Sequence, residues 1–188
     1  MSADAIDDAR FERELSDAEQ ALVAEAARKA HVLYEGRQVS HRSCGIALAE
    51  TFGLPSAPYQ ALRKGGITGA GECGAIKAGE LVLGESLGDP DPAGPVTEEL
   101  RLAAAAYRRL WTERVDRGAG GSTGSIVCND LTSPFEDFMG EPRQQFCTSI
   151  ASTVAGAVAE ILVRLEALEE VTPIPGLEDS EENCALRR

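Results

Sequence analysis

A chain of 188 residues with 43% hydrophobic content is sized for a single domain built around one sizeable core. Its 31 acidic and 18 basic side chains leave a formal net charge of -13. That charge argues against nucleic acid and anionic membranes as partners, because both repel such a surface and exchange no counterions with it. No run of 18 apolar residues occurs, and Met1-Ser2-Ala3-Asp4-Ala5-Ile6-Asp7-Asp8 carries acids where a signal peptide is basic and then apolar, so the sequence predicts a cytoplasmic protein.

The elements follow in chain order. Residues 1–15 read as an N-terminal arm, and Ser16-Asp17-Ala18-Glu19 has the form of a capping box. Behind it Leu22, Ala26 and Ala30 recur at four-residue spacing up to Gly36, which predicts the first helix. His41 to Phe52 reads as a short helix with Cys44, Leu48 and Phe52 on one face, stopped by Gly53 and Pro55. A brief turn through Tyr59, Leu62 and Arg63 leads into the glycine-dense loop Gly65–Gly71. A helix from about Glu72 to Leu87 follows, with Ile76, Leu83 and Leu87 on its apolar face.

Asp89 to Pro95 is a loop by its proline and glycine density, and a long helix from about Val96 to Asp116 leaves it. Gly118 to Gly124 breaks the chain again, ahead of Cys128. The last helix spans about Pro142 to Glu169, with Phe146, Ile150, Val154, Val158, Ile161 and Leu165 forming a stripe. No β-alternation of useful length appears, so the class is all-α: a compact bundle of five or six helices over residues 16–171, with glycine-rich loops and an acidic, mobile tail from 172 to 188.

Five cysteines in a reducing compartment point to metal binding, redox chemistry or plain core packing, and an odd count leaves one without an intramolecular partner. Cys73 opens a helix directly after a glycine loop, where the dipole and free amides favour an anion. The sequence therefore predicts a readily ionised thiolate there. Cys147 falls in the first turn of the last predicted helix, and Cys128 follows the second glycine-rich loop. His41, three residues before Cys44, is placed to share its helix face, although a solvent-facing histidine is the plainer reading. Gly65–Gly71 lacks a Gly-Lys-Ser/Thr ending and follows no strand, which argues against a phosphate cradle. The arginines from Arg101 to Arg114 are interleaved with Glu98, Glu99 and Glu113 and read as a solvated helix face.

These four cysteines and their surroundings resemble the C_GCAxxG_C_C family of redox-active proteins. The likeness runs from about Ser43 to Leu162. It is carried by Cys44-Gly45-Ile46-Ala47-Leu48, by Gly65–Gly71 with Cys73-Gly74-Ala75 and Val82-Leu83-Gly84, by Gly124-Ser125-Ile126-Val127-Cys128-Asn129-Asp130-Leu131, and by Phe146-Cys147. Two positions depart from the pattern: Ala78, followed by Gly79, stands where the family has a glycine, and Gly45 stands where alanine is common. Cys184 lies outside the pattern.

The resemblance implies a redox role. A similar domain in some multihaem cytochromes is associated with a [2Fe–2S] cluster, and the haem half of those proteins has no counterpart here. Four thiolates from separate elements meet the ligand demand of an iron–sulfur centre or of a structural zinc. On the resemblance, the first expectation is a [2Fe–2S] cluster held by Cys44, Cys73, Cys128 and Cys147, passing electrons to a larger oxidoreductase. The rival expectations are a thiol–disulfide oxidoreductase with Cys73 as nucleophile, and a protein whose cysteines are structural. The long amphipathic helices allow a homodimer, and Ala185-Leu186-Arg187-Arg188 has the form of a short docking peptide.

Overall fold

The computed structural model describes residues 9–118 and 124–177. Seven α-helices are found among them, with a single isolated bridge, Glu72 to Val127, and no strand. The chain is all-α. In order the helices are α1 (Ala9–Glu12), α2 (Asp17–Glu35), α3 (Cys44–Thr51), α4 (Gly74–Leu87), α5 (Glu98–Arg114), α6 (Cys128–Thr132) and α7 (Glu141–Arg164), with a 3-10 turn at Pro58–Leu62. The five or six helices expected from periodicity become seven because α1 and α6, four and five residues long, are too short to show one.

Helix α7 is the axis of the fold. It is long and apolar enough to pass the length and composition test for a membrane span, yet much of its surface is covered by α2, α3, α4 and α5. Its pairing with α2 is the most extensive in the molecule. Small side chains make that pairing close: Ala26, Ala30, Ala151, Ala155 and Ala159 are all buried, and the Ser152 hydroxyl donates to the Ala27 carbonyl at 3.0 Å. Helix α4 meets α5 through Tyr107, whose hydroxyl donates to the Ile76 carbonyl at 2.7 Å. The ring enters the space left by Gly79, where an added Cβ would stand 2.2 Å from the tyrosine oxygen.

The helix ends show how far local signals reach. Ser16 and Glu19 form the complete capping box, and Gly36, left-handed at φ 75°, closes α2. Thr97 caps α5 through the Leu100 amide and also donates to the Leu87 carbonyl at 2.6 Å, tying α4 to α5. Two predicted ends are corrected. Helix α3 begins at Cys44 with Ser43 as its N-cap, so His41 precedes it. Helix α7 stops at Arg164, five residues before the expected Glu169, because Glu166 turns left-handed at φ 56° and the Ala167 amide reaches back to the Leu162 carbonyl at 2.8 Å. That is a Schellman-type stop made by a residue other than glycine, so nothing in the composition marks it.

Beyond α7, Ile174 is buried and the Nζ of buried Lys29 donates to the carbonyl and hydroxyl of Thr172 at 2.8 and 3.0 Å. Residues 172–177 are thus held against α2. The remainder of the acidic tail with Cys184, the first eight residues of the arm, and 119–123 of the second glycine-rich loop lie outside the described residues.

Candidate functional site: a four-cysteine cavity

The loop Gly65–Gly71 brings two of the cysteines together. Four of its amides are taken up locally, Ile67 by the Arg63 carbonyl at 2.6 Å, Gly69 by Lys64 at 2.8 Å, Ala70 by the Thr68 hydroxyl at 3.2 Å and Gly71 by Gly65 at 2.9 Å, which withholds them from a phosphate. Its carbonyls face the other way and receive the start of α6: Cys128 donates to Gly71 at 2.9 Å and Asn129 to Gly69 at 2.8 Å. The Cys73 amide in turn donates to Ile126 at 2.6 Å. Glycine is required here by sterics as well as by conformation. Gly65 has φ 55°, and a Cβ on it would stand 2.5 Å from the Cys128 Cβ.

Cys44, at the start of α3, points its sulfur toward the Leu62 carbonyl, 3.8 Å away. A side chain at Gly74 would meet that same carbonyl at 2.2 Å and the Cys44 sulfur at 2.6 Å, so only glycine allows Cys44 to lie against the beginning of α4. Cys147 arrives from α7. It is the seventh residue of that helix, in its second turn, which corrects the first-turn placement and removes any help from the helix terminus.

Cys44, Cys73, Cys128 and Cys147 line one cavity of about 320 Å³. All four thiols are free. Among the described residues no aspartate or glutamate lines the cavity, whereas Arg63, Lys64 and Arg143 do. Arg143 is buried, donates to the Phe138 carbonyl and, at 3.3 Å, to the Tyr34 hydroxyl, and lies over the Phe138 ring at 4.5 Å. Arg143 and Tyr34 both favour the ionised form of Cys147 against its burial. Lys64 stands over the same ring at 4.8 Å. His41 also borders the cavity, its Nδ1 bonded to the Tyr34 carbonyl and its ring edge-on to Tyr34.

Burial is the dominant electrostatic effect on the thiols. It pushes Cys73 up to about 12, the neighbouring Cys44 thiol adds to the rise, and the amides of Ile76 and Ala75 recover only part of it. Cys73 is the N-cap of α4, just ahead of the first turn in which the sequence placed it, and the expected low-pKa thiolate is overturned because desolvation outweighs the helix terminus. Cys44 rises to about 11 for the same reason, and Cys128 and Cys147 rise as well, tempered by Arg143. The thiols also raise one another, Cys147 acting on each of the other three.

A family model described as "Putative redox-active protein (C_GCAxxG_C_C)" matches residues 40–161, more than half of the chain. The chain belongs to the C_GCAxxG_C_C family. No curated protein and no solved structure matches it. The two departures from the family pattern have structural counterparts. Ala78 is fully buried and Gly79, one place on, supplies the opening for Tyr107. At Gly45 an added methyl would press on the Leu62 side chain at 3.0 Å.

Arg143 and Tyr34 escaped the reading of the sequence. Arg143 carried a signal, since it lies four residues before Cys147 and therefore on the same helix face. Tyr34 carried none, because the approach of α2 to α7 at that point is decided by packing over a long separation in sequence.

Proposed function

We propose that Cys44, Cys73, Cys128 and Cys147 hold an iron–sulfur cluster, [2Fe–2S] by preference, through which this redox-family protein exchanges single electrons with a larger oxidoreductase. The observation that carries this reading is a buried cation facing four thiols in a cavity without a carboxylate. An arginine held away from water needs negative charge nearby, and thiols that burial keeps protonated provide none at neutral pH. Metal coordination reverses that, because a bound thiol is deprotonated outright. A cluster with four thiolates carries net negative charge, and Arg143 then has its counter-ion.

Among the described residues, no group of three or more histidine, cysteine or acidic side chains is set to hold a metal ion. Tetrahedral thiolates at the usual zinc–sulfur distance stand only about 3.8 Å apart, whereas a cluster fills the centre with its own sulfides and tolerates a wider frame. When bound, such a centre supplies reversible one-electron chemistry. The chain contributes the rest: Gly65, Gly71 and Gly74 leave the room in which the cysteines approach one another, and Arg143 brings positive charge to the cavity they line.

Anaerobic purification tests the reading. Visible absorbance with about two irons and two labile sulfides per chain is expected. A colourless, iron-free protein that instead forms a defined Cys73 disulfide on mild oxidation would replace it with thiol–disulfide exchange.

A further inference from the structure

We infer that the rim of the cysteine cavity, formed by Arg63, Lys64 and Met139, together with the adjoining turn that carries Ile67, is the docking surface for a redox partner with an acidic face. This deepens the electron-transfer reading and rests on it. The charge distribution is the first argument. The chain carries a net -13, yet the described side chains that line this opening include Arg63, Lys64 and Arg143 and no carboxylate. Arg63 and Lys64 are exposed. Arg63 donates to the Ser43 hydroxyl at 3.3 Å, and Lys64 lies over the Phe138 ring. Neither charge meets a carboxylate among the described residues that line the cavity, so the lining is locally basic on an otherwise acidic chain and complements an acidic surface.

The second argument is apolar. Met139 is 77% exposed and Ile67 is 61% exposed, two of the four large hydrophobic side chains most open to water among the described residues. Met139 lines the cavity, and Ile67 stands in the turn directly after Arg63 and Lys64, its amide bonded to the Arg63 carbonyl at 2.6 Å. Ile67 is also a β-branched residue at φ 71°, a conformation such side chains rarely adopt, and it presents its side chain outward. Its burial contributes little to the fold. An exposed methionine and isoleucine beside arginine and lysine match the small, basic and partly apolar patches of transient electron-transfer contacts. Cys128, only partly buried like the other three thiols, lines the cavity together with Arg63, Lys64 and Met139.

The test uses the purified protein and a flavodoxin, an acidic one-electron carrier, as probe. Binding is titrated at about 20 mM and about 300 mM salt, where screening lengths differ severalfold. The expected result is attraction between two net-acidic proteins, weakening at least about tenfold at high salt, with carbodiimide coupling joining Lys64 to a probe carboxylate. The Arg63→Glu, Lys64→Glu double variant should lose about tenfold of the low-salt affinity, and the milder Arg63→Gln, Lys64→Gln pair severalfold, with unchanged circular dichroism. Ile67→Ser with Met139→Ser should weaken binding at both salt levels. No binding, binding that strengthens with salt, or binding indifferent to both charge variants overturns the surface. Iron measured in the same samples reports separately on the centre: iron-free protein that still binds keeps the surface and loses the cluster.

Discussion

Gly74→Ala isolates the packing that places Cys44, and its effect follows from two distances. The new methyl would stand 2.2 Å from the Leu62 carbonyl oxygen and 2.6 Å from the Cys44 sulfur, one a backbone atom fixed by the 3-10 turn and the other a proposed ligand. Overpacking of this kind costs about 1–3 kcal/mol, and the better helix propensity of alanine offsets up to about 1 kcal/mol. The net loss is about 1–2 kcal/mol, or roughly 2–8 °C in melting temperature for a chain of this size. Gly84→Ala, in the same helix, is the control. A methyl there meets nothing within 4 Å and the backbone is not left-handed, so this variant should gain about 0.5–1 kcal/mol. Thermal unfolding followed by circular dichroism, together with iron content after anaerobic purification, reads both effects. Gly74→Ala should fall in both measures and Gly84→Ala in neither. A Gly74→Ala protein that is stabilised like Gly84→Ala and retains its iron refutes the placement of Cys44 against α4.

Removing the buried cation should alter the electron affinity of the site. At an effective dielectric near 20 and a separation near 6 Å, one charge is worth about 3 kcal/mol, so Arg143→Met should lower the midpoint potential by on the order of 100 mV. Arg143→Lys should keep most of it, and an EPR-monitored redox titration that finds Arg143→Met unchanged contradicts the counter-ion role. In the metal-free protein, the raised thiols predict alkaline destabilisation. Their pKa values lie above that of an unfolded cysteine, so their stabilising effect is whole below about pH 8.5 and is lost as pH rises toward the folded values of about 11 and 12 for Cys44 and Cys73. The slope is up to about 1.4 kcal/mol per pH unit for each thiol, and urea unfolding across that range should flatten when the two are replaced by valine. Gly79→Ala should cost about 1–3 kcal/mol by striking Tyr107, and Tyr107→Leu in the same chain should recover part of the loss, a coupling that a double-mutant cycle measures directly.

What the sequence disclosed divides by the range of the forces involved. The start of α2 was legible because Ser16 and Glu19 satisfy each other's amides within four residues, and a helix start beside Cys73 because glycine and a following apolar face mark it locally. The end of α7 was not, since Glu166 adopts a glycine-like conformation. The candidate site shows the same division. Four cysteines were visible as members of one family pattern, but their common cavity depends on Gly71 and Ile126 carbonyls receiving the amides of Cys128 and Cys73, pairings that link segments more than fifty residues apart. The ionisation of Cys73 was misjudged because a helix terminus is written in the sequence and the depth of burial is not. Arg143 needed both the helical repeat and the knowledge of what its face meets.

The central claim is that sulfurs from α3, the start of α4, α6 and α7 share one metal–sulfide centre. Iron and labile sulfide measured across the five single Cys→Ala variants, purified without oxygen, test it most directly. Cys44→Ala, Cys73→Ala, Cys128→Ala and Cys147→Ala should each lose most of both, while Cys184→Ala keeps the full complement. Undiminished iron and sulfide after removal of any of the first four would contradict it.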